Sequence, residues 1–332
     1  MSKRNKRVAV FVILTVLFLI FVLLSTGIGT LYIPPLHVLS ILAGGGETME
    51  ATVVLNLRLP RLMLAALVGA ALALSGTVLQ AVIRNPLASP EIIGVNSGAS
   101  MMAVLFLALF NETLGIAWLP LFAFCGAAGV ALIIYTAAWK KGVSPMRIIL
   151  IGFGVTALLE AWKTLFLIFG PIWRTSQAQV WMTGTVYGTT LNEVYSFLPW
   201  LIIFIPVLFL LMRSLDIQLL GDELPIGLGS RVQLLRFALI FISAGLAGAA
   251  TAFAGGIGFI GLMAPHISRR LVGGSHRSLL WCSALIGAIL LVAADFAGRT
   301  LFPPRDIPAG VFTAVIGAPF FLYLLIQVRR RA

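Results

Sequence analysis

The sequence is poor in charged residues and in the side chains that most enzymes use for chemistry. Only 10% of its 332 residues are charged and 60% are hydrophobic, whereas a soluble domain carries about 25% charged residues. Cys125 and Cys282 lie in separate apolar runs, which argues against a disulfide or a zinc site. His37, His266 and His276 lack the i,i+4 spacing of a helical metal site. We therefore expect no catalytic residues, no bound metal and no cofactor.

Nucleotide-binding motifs are also missing. No Gly-Lys dipeptide occurs anywhere in the chain, so a Walker-type phosphate-binding loop is absent and the chain should not hydrolyse ATP by that route. Residues 256–261 (GIGFIG) have the spacing of a dinucleotide-binding loop, but they follow a predicted membrane span and no strand-turn-helix unit surrounds them. We interpret these glycines as points of close helix packing. Any ATP-derived energy must come from another chain.

Long apolar runs dominate what is present. A hydrocarbon core of roughly 30 Å takes about 20 apolar residues per helix, and hydropathy predicts ten spans, with Pro, Gly and charge as boundaries. They lie at residues 8–28, 62–82, 92–110, 117–138, 147–168, 195–213, 236–255, 259–272, 279–297 and 308–328. The eighth is short and contains Gly261 and Pro265, as broken helices of transporters do. We expect an all-α integral membrane protein, with residues 1–332 forming one polytopic domain.

The formal net charge of +12 is unevenly spread over the predicted loops. With a cytoplasmic N-terminus, seventeen of the 23 Lys and Arg residues fall at cytoplasmic ends and five at outer ends, which predicts that both termini are cytoplasmic. Arg61 and Pro90 lie 29 residues apart, as do Arg236 and Pro265, each pair across a Gly/Ala-rich span. Because these spans run in opposite directions, an inverted repeat of spans 2–5 and 7–10 is possible; two Gly/Ala-rich helices could also match by chance.

Three arginines lie at predicted outer ends, where the topology rule expects few cations. Arg58 and Arg61 precede the second span, and Arg299 follows the ninth. One interpretation is docking of an acidic partner, because guanidinium groups pair bidentately with carboxylates. The alternative is that they reach the membrane interface, with Asp295 as a local i,i+4 partner of Arg299.

A segment of acids, leucines and helix breakers, residues 214–235, joins spans six and seven on the predicted cytoplasmic side. Its composition predicts two short surface helices. They could seat in a groove of a cytoplasmic partner, or the segment could be a plain connection. The residues singled out are Asp216, Leu219, Leu220, Gly221, Asp222, Glu223 and Gly229.

Two charges fall inside the fifth predicted span. Glu160 and Lys163 are spaced i,i+3 on one helical face, and an isolated charge at mid-membrane costs about 2.5 to 3.5 kcal/mol on insertion scales. They should therefore pair or face water. A lining of a transport pathway and a structural pair near the interface are both open interpretations.

Together the motifs resemble the permease family of ABC importers for iron siderophores, haem and vitamin B12, over nearly the whole chain. The resemblance is carried by residues 58–61 (RLPR), Gly76, Gln80, 84–90 (RNPLASP), 94–95, 98–99, 181–184 (WMTG), 259–266 (FIGLMAPH), Arg269, 294–295 and Arg299. It implies a ten-helix subunit that pairs with an identical or related permease around a central pathway. Two cytoplasmic ATPase subunits would bind on one side and a substrate-binding protein on the other.

The resemblance also implies roles for two of the three groups of residues. The outer arginines would meet acidic residues of the binding protein, and the 214–235 segment would couple ATP-driven closure to the bundle. Glu160 and Lys163 receive no fixed role and remain candidates for the pathway. A ferric siderophore is the favoured cargo because that class dominates the family, while vitamin B12 and haem stay open.

Two other classes fit the sequence less well. An ion-coupled secondary transporter needs ion sites at mid-membrane, and only Glu160 and Lys163 could supply them. A membrane-embedded enzyme needs clustered His, Asp or Glu residues, and the sequence shows no such cluster.

Overall fold

The computed structural model describes residues 3–45, 49–140, 142–219, 221–227 and 229–329. Within these ranges the chain is helical and contains no β-strand beyond one bridge pair, Trp139 and Val143, which confirms the all-α fold class. The first eight helices are α1 (Lys3–Gly27), α2 (Pro35–Leu42), α3 (Met49–Thr52), α4 (Leu59–Ile83), α5 (Val95–Leu109), α6 (Asn111–Leu114), α7 (Leu119–Ala137) and α8 (Pro145–Phe169). The others are α9 (Ile172–Met182), α10 (Leu191–Leu210), α11 (Met212–Gln218), α12 (Glu223–Gly227), α13 (Val232–Ala254), α14 (Ile260–Val272), α15 (His276–Thr300) and α16 (Ala309–Arg329).

Eight segments of the described chain are long and apolar enough to cross a membrane. They coincide with α1, with α4 and the turns before it, and with α7, α8, α10, α13, α15 and α16. Two further predicted spans are shorter, because α5 has 15 residues and α14 has 13. Each predicted span thus contains a helix, but ten membrane crossings stay a prediction, as does the inverted repeat.

The interior of the bundle is formed by α4, α13 and α15. Within their most apolar windows 78%, 78% and 67% of the residues are buried, against 11% for α1 and for α8. Small residues bring α4 into close contact with α15 and with α14. A Cβ added at Gly69 would lie 2.3 Å from the carbonyl oxygen of Gly287, and one at Gly76 would lie 1.8 Å from that of Gly261. Such contacts replace the hydrophobic drive that is missing between helices in lipid, and they confirm the packing interpretation of residues 256–261.

Two breaks in the helices lie next to each other. Between α4 and α5 the chain makes a single 3-10 turn at Pro90–Ile93, and between α13 and α14 it turns through Gly255 and Phe259, whose φ angles are 70° and 67°. The carboxylate of Glu91 lies 3.4 Å from the backbone N–H of Phe259. Irregular backbone needs protein partners wherever lipid offers none. The break lies before α14, at residues 255–259, and α14 runs without interruption through Gly261 and Pro265, so the interruption predicted at these two residues is wrong in position.

Candidate functional site

Charged side chains gather at the two opposite ends of the bundle. α4 carries Arg61 in its first turn and ends at Arg84, and α15 runs in the opposite direction from His276 to its last turn with Arg299. The end that holds Arg61 and Arg299 is the arginine end. The end that holds the 214–235 segment is the coupling end.

At the arginine end, Arg61 is held between two carboxylates from distant parts of the chain. Its Nε donates to Asp295 at 2.9 Å and its Nη1 donates to Asp306 at 2.5 Å. Nη2 donates to Asp306 at 2.9 Å, which makes that pair bidentate, and Nη2 also lies 2.7 Å from Oδ1 of Asp295 in an ion-pair contact. The Asp295 side chain is only 3% exposed. Hydrogen bonds between charged groups are the stronger class, so Arg61 ties α4 to α15.

The other two arginines hold the end of α1. Arg58 donates to the carbonyl oxygens of Thr26 at 2.6 Å and Leu31 at 2.5 Å. Arg299 donates to the carbonyl oxygens of Ser25 and Ile28, the latter at 2.8 Å. The last carbonyls of a helix lack intrahelical partners, and cations are favoured there by the helix dipole. These two guanidinium groups therefore cap a helix that is otherwise sparsely packed.

At this end the pair expected from local spacing, Arg299 with Asp295, has a longer contact than the long-range pair of Arg61 with Asp295. Arg299 and Asp295 were predicted to pair at i,i+4, but their closest atoms are 4.0 Å apart, whereas Arg61 reaches Asp295 at 2.7 Å. Asp306, which completes the cluster, follows the predicted ninth span, and no local spacing links it to Arg61. All three predicted docking arginines thus lie at this end. Arg61 and Arg299 contact carboxylates, and Arg58 binds main-chain oxygens.

At the coupling end, Asp222 joins three elements. It accepts hydrogen bonds or ion-pair contacts from Arg236 of α13 at 2.7 Å and from Arg84 at 3.3 Å. Arg236 is fully buried, and its other arm donates to the carbonyl oxygen of Val143 at 2.5 Å. Since a buried guanidinium needs a charge partner, Asp222 fixes the 214–235 segment to α4, α13 and the loop before α8.

The remaining residues of this segment lie on or beside two short helices, α11 and α12, as its composition predicted. Asp216 accepts from the Nδ1 of His276 at 2.6 Å and lies 3.3 Å from the backbone N–H that starts α15. Leu219 and Glu223 are exposed, and Gly221 and Gly229 have φ angles of 92° and 79°. Leu220 lies outside the described residues.

The two charges of α8 contact each other. Lys163 forms an ion pair with Glu160, and Glu160 also accepts a hydrogen bond from Ser97 of α5 at 3.3 Å. The Glu160 side chain is 47% exposed and that of Lys163 is 15% exposed. The expectation that they pair is therefore confirmed. In the described ranges, no group of three or more His, Cys, Asp or Glu residues could hold a metal ion.

This arrangement has counterparts among known proteins. A model described as the FecCD transport family matches residues 17–327. A "Probable siderophore transport system permease protein" of Bacillus subtilis (strain 168) is 45% identical over 333 residues, which cover 99% of this chain and 97% of that protein. An "Achromobactin transport system permease protein" of Dickeya dadantii (strain 3937) is 50% identical over 305 residues, covering 92% and 87%.

A solved structure agrees with the fold. A transporter in an inward-facing conformation, described as a metal-chelate type ABC transporter, superposes with a TM-score of 0.84 at 30% identity, covering 98% of this chain and 100% of that one. A helical bundle of this shape and sequence is a multi-span membrane permease of a metal-chelate or siderophore-type ABC importer. The chain belongs to the FecCD transport family.

Replacing Arg61 with Gln should lower the stability of the folded protein by about 3 kcal/mol, because buried Asp295 would lose its charge partner. Arg213→Gln is the matched control, since the Arg213 side chain is exposed and exposed charges contribute about 0 to 1 kcal/mol. Thermal unfolding of both purified variants in detergent measures the difference. Equal shifts of the melting temperature would contradict a structural role for the Arg61 pairs.

Proposed function

We propose that this chain is the permease through which a ferric siderophore enters the cell. The observation that carries the proposal is the 45% identity, over almost the full chain, to a permease named for siderophore transport. Similar permeases are named for import of ferric citrate and of ferric hydroxamate. The chemistry common to these names is a chelated ferric ion, and the citrate and hydroxamate chelates are the rival cargoes.

The proposed mechanism is alternating access. A loaded binding protein docks at the arginine end, and ATP closes a pair of separate ATPase subunits at the coupling end. The closure rocks this permease against an identical or related second permease, so that the chelate passes inward. The distribution of basic residues supports a cytoplasmic location for the coupling end and for both termini.

The exposed helix α8 is the proposed wall of the pathway between the two permeases. It is 11% buried in its most apolar window and carries the pair of Glu160 and Lys163. Because the two charges neutralise each other, the wall offers a bulky chelate a polar surface without a strong binding site. The same neutralisation argues against an ion-coupled transporter, which would need one of these groups for its ion.

Cells that lack this chain should lose uptake of iron from at least one ferric siderophore and keep uptake of vitamin B12 and haem. Uptake of radioiron loaded on catecholate, hydroxamate and citrate chelators measures the cargo, with the chain restored from a plasmid as the control. If iron uptake stays intact for every chelate while cobalamin or haem uptake falls, the proposed cargo is wrong.

Docking at the arginine end is supported by its charge balance. Arg61 pairs with Asp295 and Asp306, whereas Arg58 binds main-chain oxygens, so the three arginines exceed the two aspartates by one positive charge at this end. The side chains of Arg61 and Arg299 keep 12% and 11% of their surface exposed. A partner carboxylate could therefore reach their edges while the internal bonds stay in place.

Arg299→Gln should weaken binding of the loaded binding protein about tenfold, because close charge pairs across interfaces contribute about 1.5 kcal/mol or more. The dissociation constant is measured with the permease in nanodiscs, and melting temperatures confirm that each variant is folded. Arg174→Gln, at the same end but outside the cluster, is the control. Unchanged affinity of a folded Arg299→Gln variant would refute docking on this arginine.

Coupling through the 214–235 segment is supported by the position of Asp222. It links that segment to α4 and to α13, two of the interior helices. Leu224 and Ile226 of α12 are 65% and 56% exposed, which leaves apolar anchors for a groove of the ATPase subunit. A displacement of α12 by the ATPase subunit would thus be transmitted to α4 and α13 through the carboxylate of Asp222.

Asp222→Asn should reduce transport about tenfold or more in the reconstituted complex while ATP hydrolysis continues. Asn keeps an oxygen that accepts from buried Arg236 but removes the charge that holds Arg236 and Arg84 together. Arg213→Gln, an exposed charge change at the same end, is the control. A variant that assembles and transports at the normal rate would show that Asp222 does not transmit the motion.

A further inference from the structure

A groove runs along the bundle between α7 and α10, with α13 as its floor. It consists of a head cavity of about 570 Å³ near the arginine end and a tail cavity of about 240 Å³ deeper in the bundle. Phe124 lines both cavities. The lining continues from one to the other at i,i+4 spacing, from Phe124 to Ala128 on α7 and from Trp200 to Phe204 on α10. The rings of Phe124 and Trp200 contact each other, with 4.1 Å between their centroids, and lie between the two cavities. The two cavities are therefore adjacent parts of one surface groove, the lateral groove, and a chain that occupies both passes over the outer side of this ring pair.

The head cavity is built to accept a cation. Glu193 is the one charged residue among its described lining residues, and no Lys or Arg is among them. Its Oε2 accepts from the backbone N–H of Thr190 at 2.9 Å, while Oε1 has no protein partner in the described part of the chain. Five of the described aromatic rings line the same cavity, and ring faces attract cations, those of Trp and Tyr more than that of Phe. The Trp and Tyr rings belong to Trp181, Tyr187 and Trp200.

The nearest cation of the protein does not compete for this place. The guanidinium carbon of Arg61 lies 5.4 Å from the centre of the Tyr187 ring, but Arg61 is bound to Asp295 and Asp306 on its other atoms. The same contact locates the head cavity beside the arginine end. Hydroxyl and amide groups complete its polar lining. They belong to Thr185, Thr189, Thr190, Asn192 and Ser196. Those whose hydrogens are not already donated within the protein can donate to a phosphate ester; Thr189 and Ser196 already donate to the carbonyl oxygens of Val186 and Asn192.

The tail cavity is apolar over almost all of its lining. Small residues, among them Ala128 and Gly245, form its depth, and large apolar side chains form its walls. Leu132 and Phe241 on its rim are 56% and 57% exposed, so the cavity opens on the lipid-facing side of the bundle. A flexible hydrocarbon chain fits these walls because it needs no polar partner.

We propose that the lateral groove binds a membrane phospholipid whose head carries an ammonium group, as phosphatidylethanolamine does. The ammonium pairs with Glu193 among the aromatic rings, the phosphate ester meets the hydroxyl groups, and one acyl chain fills the tail cavity. A phospholipid with an anionic head and no amine places its negative charge beside Glu193 without a compensating cation. A soluble amine fits the groove less well because it leaves the tail cavity empty. A helix from a second permease also fits less well because it brings no cation to the head cavity.

The test is native mass spectrometry of the delipidated full-length permease, titrated with phosphatidylethanolamine and with phosphatidylglycerol of the same acyl chains. The unchanged protein should bind phosphatidylethanolamine more tightly than phosphatidylglycerol. Glu193→Gln keeps the acceptor for Thr190 and removes the charge, so phosphatidylethanolamine binding should fall about tenfold, which corresponds to about 1.4 kcal/mol. Phosphatidylglycerol binding should be unchanged or stronger.

A second variant tests the tail cavity. Ala128→Phe fills it and should reduce binding of both lipids. Glu112→Gln, an acid outside the groove, and Leu165→Phe, on exposed α8, are the controls and should change neither. Equal affinity of the unchanged protein for the two lipids would overturn the proposal. So would full lipid binding by Glu193→Gln, whose altered residue is at the surface and whose folding is not in question.

Discussion

Backbone carbonyl groups at the ends of helices need hydrogen-bond donors, and in this membrane protein arginines supply them. In water the last carbonyls of a helix bond to solvent, but near a bilayer that supply is limited. Arginines therefore reach the C-terminal ends of four helices in the described chain. Arg58 and Arg299 hold the end of α1, Arg174 that of α5, Arg147 that of α7 and Arg7 that of α14. Basic residues, whose uneven distribution predicts the topology, thus also provide hydrogen-bond donors for the carbonyl groups at the ends of these helices.

The two charged ends are joined by two of the three interior helices. α4 and α15 each have 25 residues, which at 1.5 Å per residue amounts to about 37 Å, and they run in opposite directions from one end to the other. α4 is fixed by an ion pair at each end, Arg61 with Asp295 and Arg84 with Asp222. α15 is fixed by the first of these pairs and, at its other end, by the hydrogen bond between His276 and Asp216. Direct backbone contact between the two helices at Gly69 and Gly287 favours their moving together.

Local properties of this chain could be predicted from its sequence, and properties set by the tertiary fold could not. The positions of the helices follow from apolar length, and the pair of Glu160 and Lys163 follows from spacing along one helix. The partner of Asp295 was expected four residues away, but it is Arg61, 234 residues away in the sequence. The contacts of Asp222, the role of Asp306 and the lateral groove depend in the same way on packing between distant helices, which no local pattern encodes.

The arginine caps on α1 have a consequence for how this protein can change over evolutionary time. Arg58 and Arg299 bind mainly to main-chain oxygens at positions 25, 26, 28 and 31, and every amino acid has such an oxygen. Side chains at these four positions contribute little to this attachment, whereas Gly29 is required by it, because a Cβ there would lie 2.7 Å from Nη2 of Arg58. The attachment depends on the guanidinium groups of two residues, Arg58 and Arg299. The remaining surface of α1 is free to adapt to a different lipid or to a different neighbour.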